Sequence, residues 1–172
     1  SMIKNKKILI VGAGGFIGGH LVKRLLNDGN SIVAADIKPK EYWFQDFDNV
    51  KNHYSMDMKD IKNCQKVTKG IDYVFNMACN MGGMGYIENN RAECMQSVLI
   101  NTNLLIACKE DGIKKYFFSS SACAYNTAKQ EEVREQFLSL FCSCQKVYNA
   151  FSRLACICKV RIYYFGTKIL DC

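Results

Sequence analysis

Three glycines at every third position, Gly12, Gly15 and Gly18, stand directly behind the apolar run Ile8-Leu9-Ile10-Val11. Behind them the apolar pattern resumes as Phe16, Ile17, Leu21, Val22, Leu25 and Leu26, at helical spacing. Strand, tight turn and amphipathic helix in that order make a seat for phosphate. Gly12 lets the chain turn, Gly15 lets a pyrophosphate approach the backbone, and Gly18 lets the helix pack close on the strand. The phosphates then sit on the N–H groups around Phe16 and Ile17 and on the positive end of the helix. Glycine spacing alone is weak evidence. A second apolar run, Ser31 to Ala35, ends in Asp36, 18 residues after Gly18. A carboxylate at that place accepts hydrogen bonds from adenosine ribose hydroxyls and repels a 2′-phosphate, favouring NAD over NADP. Lys38 and Lys40 follow closely and soften that preference.

The elements needed to position these groups are written along the chain. Short apolar strands alternate with helical patterns from the first residues onward. A third strand lies around His53 to Met56 and ends at Asp57, which meets the adenine amine, caps the helix from Met58 onward, or does both. Ile61 to Val67 makes a brief helix, and Ile71 to Ala78 a fourth strand. A long helix is expected from about Glu88 to Glu110, with Met95, Val98, Leu99, Leu104, Leu105 and Ala107 on its apolar side and Asp111-Gly112 as its stop. Lys115 to Phe118 forms a fifth strand running into Ser119-Ser120-Ser121-Ala122-Cys123. Such alternation implies an α/β, Rossmann-type doubly wound parallel sheet covered by helices on both faces. Ligands of that architecture bind beyond the carboxyl ends of the strands, where Gly12, Asp36, Asp57 and Asn76 to Met81 all fall.

Composition narrows the function classes. A chain of 172 residues, 49% hydrophobic and 23% charged, suits one folded domain spanning residues 1–172. The formal charge of +7 comes from scattered lysines rather than one stripe, so a solvated basic surface is expected and no nucleic-acid partner. Ten cysteines would suggest disulfides in a secreted protein, but no secretory signal is visible and Ser1-Met2 resembles an expression scar. Free thiols in a reducing cytoplasm are the economical reading. No apolar stretch is long enough to span a bilayer, and no membrane partner is expected.

Taken together, Gly12/Gly15/Gly18, Asp57-Met58, Asn76-Met77-Ala78-Cys79 and Ser120-Ser121-Ala122 resemble the extended short-chain dehydrogenases/reductases that act on nucleotide sugars. Within that superfamily, Asn80-Met81-Gly82-Gly83-Met84-Gly85-Tyr86-Ile87 and Ser121-Ala122-Cys123-Ala124-Tyr125 resemble the GDP-mannose 3,5-epimerases. The resemblance covers about residues 6–125. It implies NAD as cofactor, a GDP-mannose-like nucleotide sugar as substrate, and a reaction that opens by oxidising the hexose C4 hydroxyl. The resulting ketone acidifies the C3 and C5 protons, which are removed and returned before C4 is reduced again. By the same resemblance Cys123 is the base for C3 and C5, Ser121 binds the C4 oxygen, and Gly82, Gly83 and Ala122 lie against the sugar. Met77, Ala78 and Asn101 belong to the cofactor side. A thiolate is a competent base where positive charge or a helix dipole favours it. The superfamily also pairs through two long helices, so a homodimer is expected; no metal is.

Departures from the pattern are equally specific. Asn80 stands where the family has Asp, and Asn126 where it has Pro. The family's Tyr-x-x-x-Lys pair has no good match. Tyr125 with Lys129 lies too close to Cys123, and Tyr164 with Lys168 falls in a strand-like segment. Tyr148 has a helical context, but Ser152 occupies the lysine position; Tyr148 is the choice for the tyrosine. Glu131 to Cys158 reads as one long helix and Lys159 to Phe165 as a sixth strand; a spliced or frame-shifted ending is the other account. Two Cys-x-Cys pairs do not make a metal site, since residues two apart on a helix face different ways. The expected protein is thus an NAD-dependent nucleotide-sugar epimerase represented by its cofactor domain, without the substrate domain. The alternative is a non-catalytic NAD-binding module or degenerate homologue.

Overall fold

The computed structural model describes residues 3–47, 50, 52–80, 84–119 and 161–163. Strand β1 (Lys7–Val11) leads into helix α1 (Phe16–Asn27) and strand β2 (Ser31–Asp36). A 3-10 turn (Lys40–Tyr42) precedes β3 (Asn52–Ser55), followed by α2 (Ile61–Val67), β4 (Tyr73–Asn76), α3 (Met84–Asn89), α4 (Arg91–Glu110), β5 (Lys115–Phe118) and β6 (Arg161–Tyr163). The sheet order is β3-β2-β1-β4-β5-β6. The first five strands are parallel, as the alternating pattern demands. β6 runs antiparallel to β5, with Phe117 opposite Ile162. A sixth strand was expected here, and its backbone direction is what the sequence did not carry.

Residue alternation divides the core between the two faces of the sheet. Leu9, Val11, Val33, Ala35, Val74 and Tyr116 pack with α2 and α4 residues such as Val67, Leu104 and Cys108. Ile8, Ile10, Ile32 and Ala34 pack on the other side with Val22 and Leu25 of α1 and with Trp43, Phe47 and Val50. Central parallel strands are buried on both faces, which is why β1 and β2 read as unbroken apolar runs. β1 lies between β2 and β4, the chain running outward from β1 to β2 and β3 on one side and from β4 to β5 on the other. The crevice at this reversal opens beyond the carboxyl ends of the strands.

The expected single helix from Glu88 to Glu110 is in fact two. The helical backbone starts earlier, at Met84, and breaks at Asn90, whose φ of −131° and ψ of 48° are not helical. The Asn90 side-chain amide and its backbone N–H both donate to the Tyr86 carbonyl, each at 2.9 Å. That local bond offers the backbone an alternative to continuing the helix. α4 then starts afresh, Cys94 N–H donating to the Asn90 carbonyl at 3.0 Å. The apolar side was also overdrawn. Leu104, Leu105 and Ala107 are buried, whereas Met95, Val98 and Leu99 are exposed. The first half of α4 thus carries apolar residues without burying them, and the core takes Leu104, Leu105, Ala107 and Cys108.

Candidate functional site

The turn after β1 is built by contacts a side chain could not survive. Gly12 has φ +82°, and a Cβ on it would lie 2.8 Å from the Ala78 amide nitrogen. A Cβ on Gly18 would overlap the Gly12 carbonyl oxygen, so α1 can approach the turn only with glycine there. Gly15 differs: a Cβ would meet only the Gly12 carbonyl oxygen, at 3.4 Å, and the residue lines an open cavity. The three readings of Gly12, Gly15 and Gly18 therefore correspond to a turn, an open approach and a close packing. Gly15 is also the N-cap of α1, where no side chain caps the helix and no acidic residue stands in the first turn. An uncapped helix start of twelve residues attracts an anion.

Gly14 was not singled out by its spacing, yet it too is buried and closely enclosed. Its N–H donates to Asp36 Oδ2 at 2.9 Å, its carbonyl accepts from Phe44 N–H at 3.0 Å, and a Cβ would fall 2.7 Å from Trp43 Cδ1. The signal that could have found it is the aromatic run Tyr42-Trp43-Phe44, which supplies the covering ring.

Asp36 ends β2 in the crevice, 7% exposed. Its two carboxylate oxygens accept from Gly14 N–H and, at 3.0 Å, from Lys38 N–H. A carboxylate has about four acceptor positions, so both oxygens keep capacity for ribose hydroxyls. Lys38 also lines the cavity, while Lys40 is drawn away to Asp46, 3.1 Å distant. That ion pair and the Phe47 N–H hold the Asp46 carboxyl below its usual range.

The cavity, about 390 Å³, is floored by Val11, Gly12, Asp36 and Met77-Ala78, with Met56, Asp57 and Met58 on one side. Asp57 lines it as well. Its Oδ1 accepts from Lys59 N–H at 2.9 Å, and Lys59 Nζ lies 3.4 Å from Oδ2. Asp57 caps no helix: Asp60 caps α2, accepting from Lys62 N–H. Lys59 Nζ also donates to Gln96 Oε1 at 3.2 Å, tying the end of β3 to α4. Gln96 and Asn80 line the cavity too, and no sequence signal links residues so far apart as Lys59 and Gln96. Asn80 N–H donates to Ser97 Oγ at 2.9 Å, and Tyr86 O–H donates to Asn80 Oδ1 at 3.0 Å. Cys79 faces the same cavity, its thiol pushed up by burial and then by Cys94 nearby.

Phe16 and Ile17 do not line the cavity. Their side chains are exposed, Phe16 lying edge-on to Phe44 with centroids 4.8 Å apart, so what they can offer a ligand is backbone N–H. Asn101 stands one layer below, behind Ile100. Its Oδ1 accepts from Tyr116 O–H at 2.6 Å and from Asn76 Nδ2 at 3.2 Å, inside the core. Asn76 Oδ1 in turn accepts from Ala78 N–H at 3.2 Å and so shapes the floor of the cavity. Gly82, Gly83, Ser121, Ala122, Cys123 and Tyr148 lie outside the described residues. Among the described residues no cluster of ligating side chains could hold a metal ion, and no helix is long and apolar enough to cross a membrane.

An adenine dinucleotide fits this arrangement: a cavity bounded by Asp36 and Asp57, glycines whose Cβ positions are filled by protein or open to the cavity, and an uncapped helix end. Comparison with known proteins agrees. The family model described as the NAD dependent epimerase/dehydratase family matches residues 8–152. A GDP-mannose 3,5-epimerase of Arabidopsis thaliana is 42% identical over 130 residues, covering 75% of this chain and 34% of its own. A UDP-N-acetylglucosamine 4-epimerase from Methanobrevibacter ruminantium M1, solved with UDP-N-acetylmuramic acid, superposes with a TM-score of 0.64 at 28% identity, over 78% of this chain and 44% of that one. MoeE5, solved with UDP-glucuronic acid and NAD, superposes with a TM-score of 0.60 at 28% identity, over 69% of this chain and 38% of that one. The chain spans about a third of the length of the GDP-mannose 3,5-epimerase it matches. Glycine turn, strand-end carboxylates and matched sequence converge on one assignment: the chain belongs to the NAD-dependent epimerase/dehydratase family, with NAD as its cofactor.

Proposed function

We propose that the chain is the cofactor-binding part of a nucleotide-sugar epimerase of the GDP-mannose 3,5-epimerase type. The observation that carries this reading is the cavity with Asp36 at its base, set beside an uncapped α1. The 42% identity to the Arabidopsis enzyme supports the substrate class, a GDP-mannose-like nucleotide sugar. NAD supplies a reversible hydride acceptor for C4 of the hexose. The chain's own residues then do the rest. Asp36 takes the adenosine ribose, Asp57 the adenine amine, and the first-turn amides of α1 the pyrophosphate. Met77, Ala78 and Asn101 support the cofactor from below. In an enzyme of that type Ser121 would orient the C4 oxygen, Cys123 would move the C3 and C5 protons and Tyr148 would take the C4 hydroxyl proton, with Gly82, Gly83 and Ala122 leaving room for the sugar.

The 172-residue polypeptide is proposed to bind NAD without appreciable turnover. Ser152 in place of the lysine partner of Tyr148 supports this, since an unassisted tyrosine keeps its proton near neutral pH. That same feature favours the second reading, a non-catalytic NAD-binding module. Calorimetry with NAD⁺ tests binding, and incubation with GDP-mannose and NAD⁺, followed by separation of sugar isomers, tests turnover. Binding with no new isomer is expected. Measurable epimerisation overturns the binding-only reading, and absent binding overturns both.

Pairing with a second copy is part of the proposal, supported by the exposed Met95, Val98 and Leu99 on α4. A reducing, cytoplasmic setting is supported by the free thiols of Cys64, Cys79, Cys94 and Cys108.

A further inference from the structure

Four residues close a ring of contacts around the turn that precedes α1. Gly14 N–H donates to Asp36 Oδ2 at 2.9 Å, and Lys38 N–H donates to Asp36 Oδ1 at 3.0 Å. The Lys38 carbonyl accepts from Trp43 Nε1 at 2.9 Å, and the indole ring of Trp43 lies over Gly14, where it fills the space of a Cβ. The next residue completes the clamp, Phe44 N–H donating to the Gly14 carbonyl at 3.0 Å. Trp43 is itself fixed: it is 9% exposed and packs in the core cluster with Ala13, Phe47 and Val50. Both sides of the Gly14 peptide are thus held, one by the carboxylate that faces ribose and the other by the segment that Trp43 anchors.

We propose that Trp43 is a positioning residue for the dinucleotide, acting through Gly14 and the Lys38 carbonyl on the two groups that meet the cofactor. The inference rests on the NAD reading above. Geometry held before binding costs nothing to impose during it, so loosening the ring lowers affinity even when the fold survives. Trp43 is also the one tryptophan in the sequence, so indole emission reports on this ring alone.

The experiment uses the full chain, with NAD⁺ as the probe and temperatures far below every unfolding midpoint. In the wild type, indole emission is expected to change saturably with NAD⁺, at the midpoint calorimetry gives. Trp43→Phe keeps a ring over Gly14 but loses the Nε1 donor, and should weaken NAD⁺ binding about fivefold. Trp43→Leu loses both and should weaken it about tenfold or more. Val67→Ala, in α2 and remote from the ring, is the control that lowers stability without moving affinity. Wild-type affinity in both Trp43 variants overturns the proposal, as does wild-type emission unmoved by a calorimetrically proven saturation. Equal weakening in Val67→Ala overturns it too, by reducing the effect to general stability. Failure of the NAD reading is separately visible, because then the wild type itself gives no calorimetric binding, and the proposal falls with it.

Discussion

Asp36 and Gly14, twenty-two positions apart, are joined by a 2.9 Å hydrogen bond in which the backbone N–H donates to the carboxylate. The carboxylate proposed to take the ribose is therefore the same one that holds the glycine turn, so the two halves of the proposed dinucleotide seat are joined. Replacing Asp36 with Ala leaves the Gly14 and Lys38 N–H groups without this acceptor. Stability should fall by about 1–3 kcal/mol, and NAD affinity by about tenfold or more. Denaturant unfolding and calorimetry on the same sample check the two together.

Gly12 and Gly29 share a φ of +82°, but their surroundings differ. A Cβ at Gly29 meets nothing within 4 Å, whereas at Gly12 it would press on the Ala78 backbone. Gly29→Ala should cost about 1 kcal/mol from backbone strain and leave NAD affinity unchanged. Gly12→Ala should cost at least about 2 kcal/mol more, because backbone must move, and should abolish NAD binding. Equal melting temperatures for the two variants would contradict the close approach of β1 to β4 at this turn.

Tyr116, fully buried, donates to Asn101 Oδ1 and accepts from Asn76 Nδ2 at 3.0 Å. Tyr116→Phe keeps the ring and removes both bonds, leaving Asn76 Nδ2 and Asn101 Oδ1 only their mutual contact of 3.2 Å from this triad. A loss of about 1–3 kcal/mol is expected in urea unfolding. Because Asn76 also accepts from Ala78 N–H, NAD affinity should drop as well, by less than in Asp36→Ala.

Burial pushes the Cys64 thiol from its ordinary 9.0 up to about 12, with Asp60 adding to the effect, and burial raises Cys108 also. A raised native value means that the unfolded chain releases its protons first as pH increases. Stability is therefore fully present below pH 9 and declines as pH climbs toward about 12. Cys64→Ser, which keeps a donor to the Met58 carbonyl, should flatten that alkaline decline in a series of urea melts. In native protein at neutral pH, iodoacetamide should label Cys94 and Cys79 before Cys64 and Cys108, read by mass spectrometry.

Much of the fold was legible because local rules govern it. Ile61–Val67 and Lys115–Phe118 form the elements their patterns announce, since helix and strand periodicity act over a few residues. Gly12 and Gly18 were readable for the same reason: the steric demand is made by neighbours within the turn. Asn90 shows where this stops. Its side chain bonds the Tyr86 carbonyl and splits a helix whose periodicity runs on, a local competition that an apolar count does not register.

What tertiary structure alone decided is which distant groups share a space. Trp43 over Gly14 and Lys59 against Gln96 depend on how the chain folds back across the sheet. Met95, Val98 and Leu99 have the apolar spacing of a core face, yet stay exposed, while Leu104, Leu105 and Ala107 of the same helix pack into the core. By itself, the sequence determined the phosphate turn and the acidic strand ends, because a glycine's lack of Cβ and a carboxylate's charge are properties of single residues. Assembling them into one seat required packing, since a hydrogen bond between remote positions exists only once the sheet has brought them together.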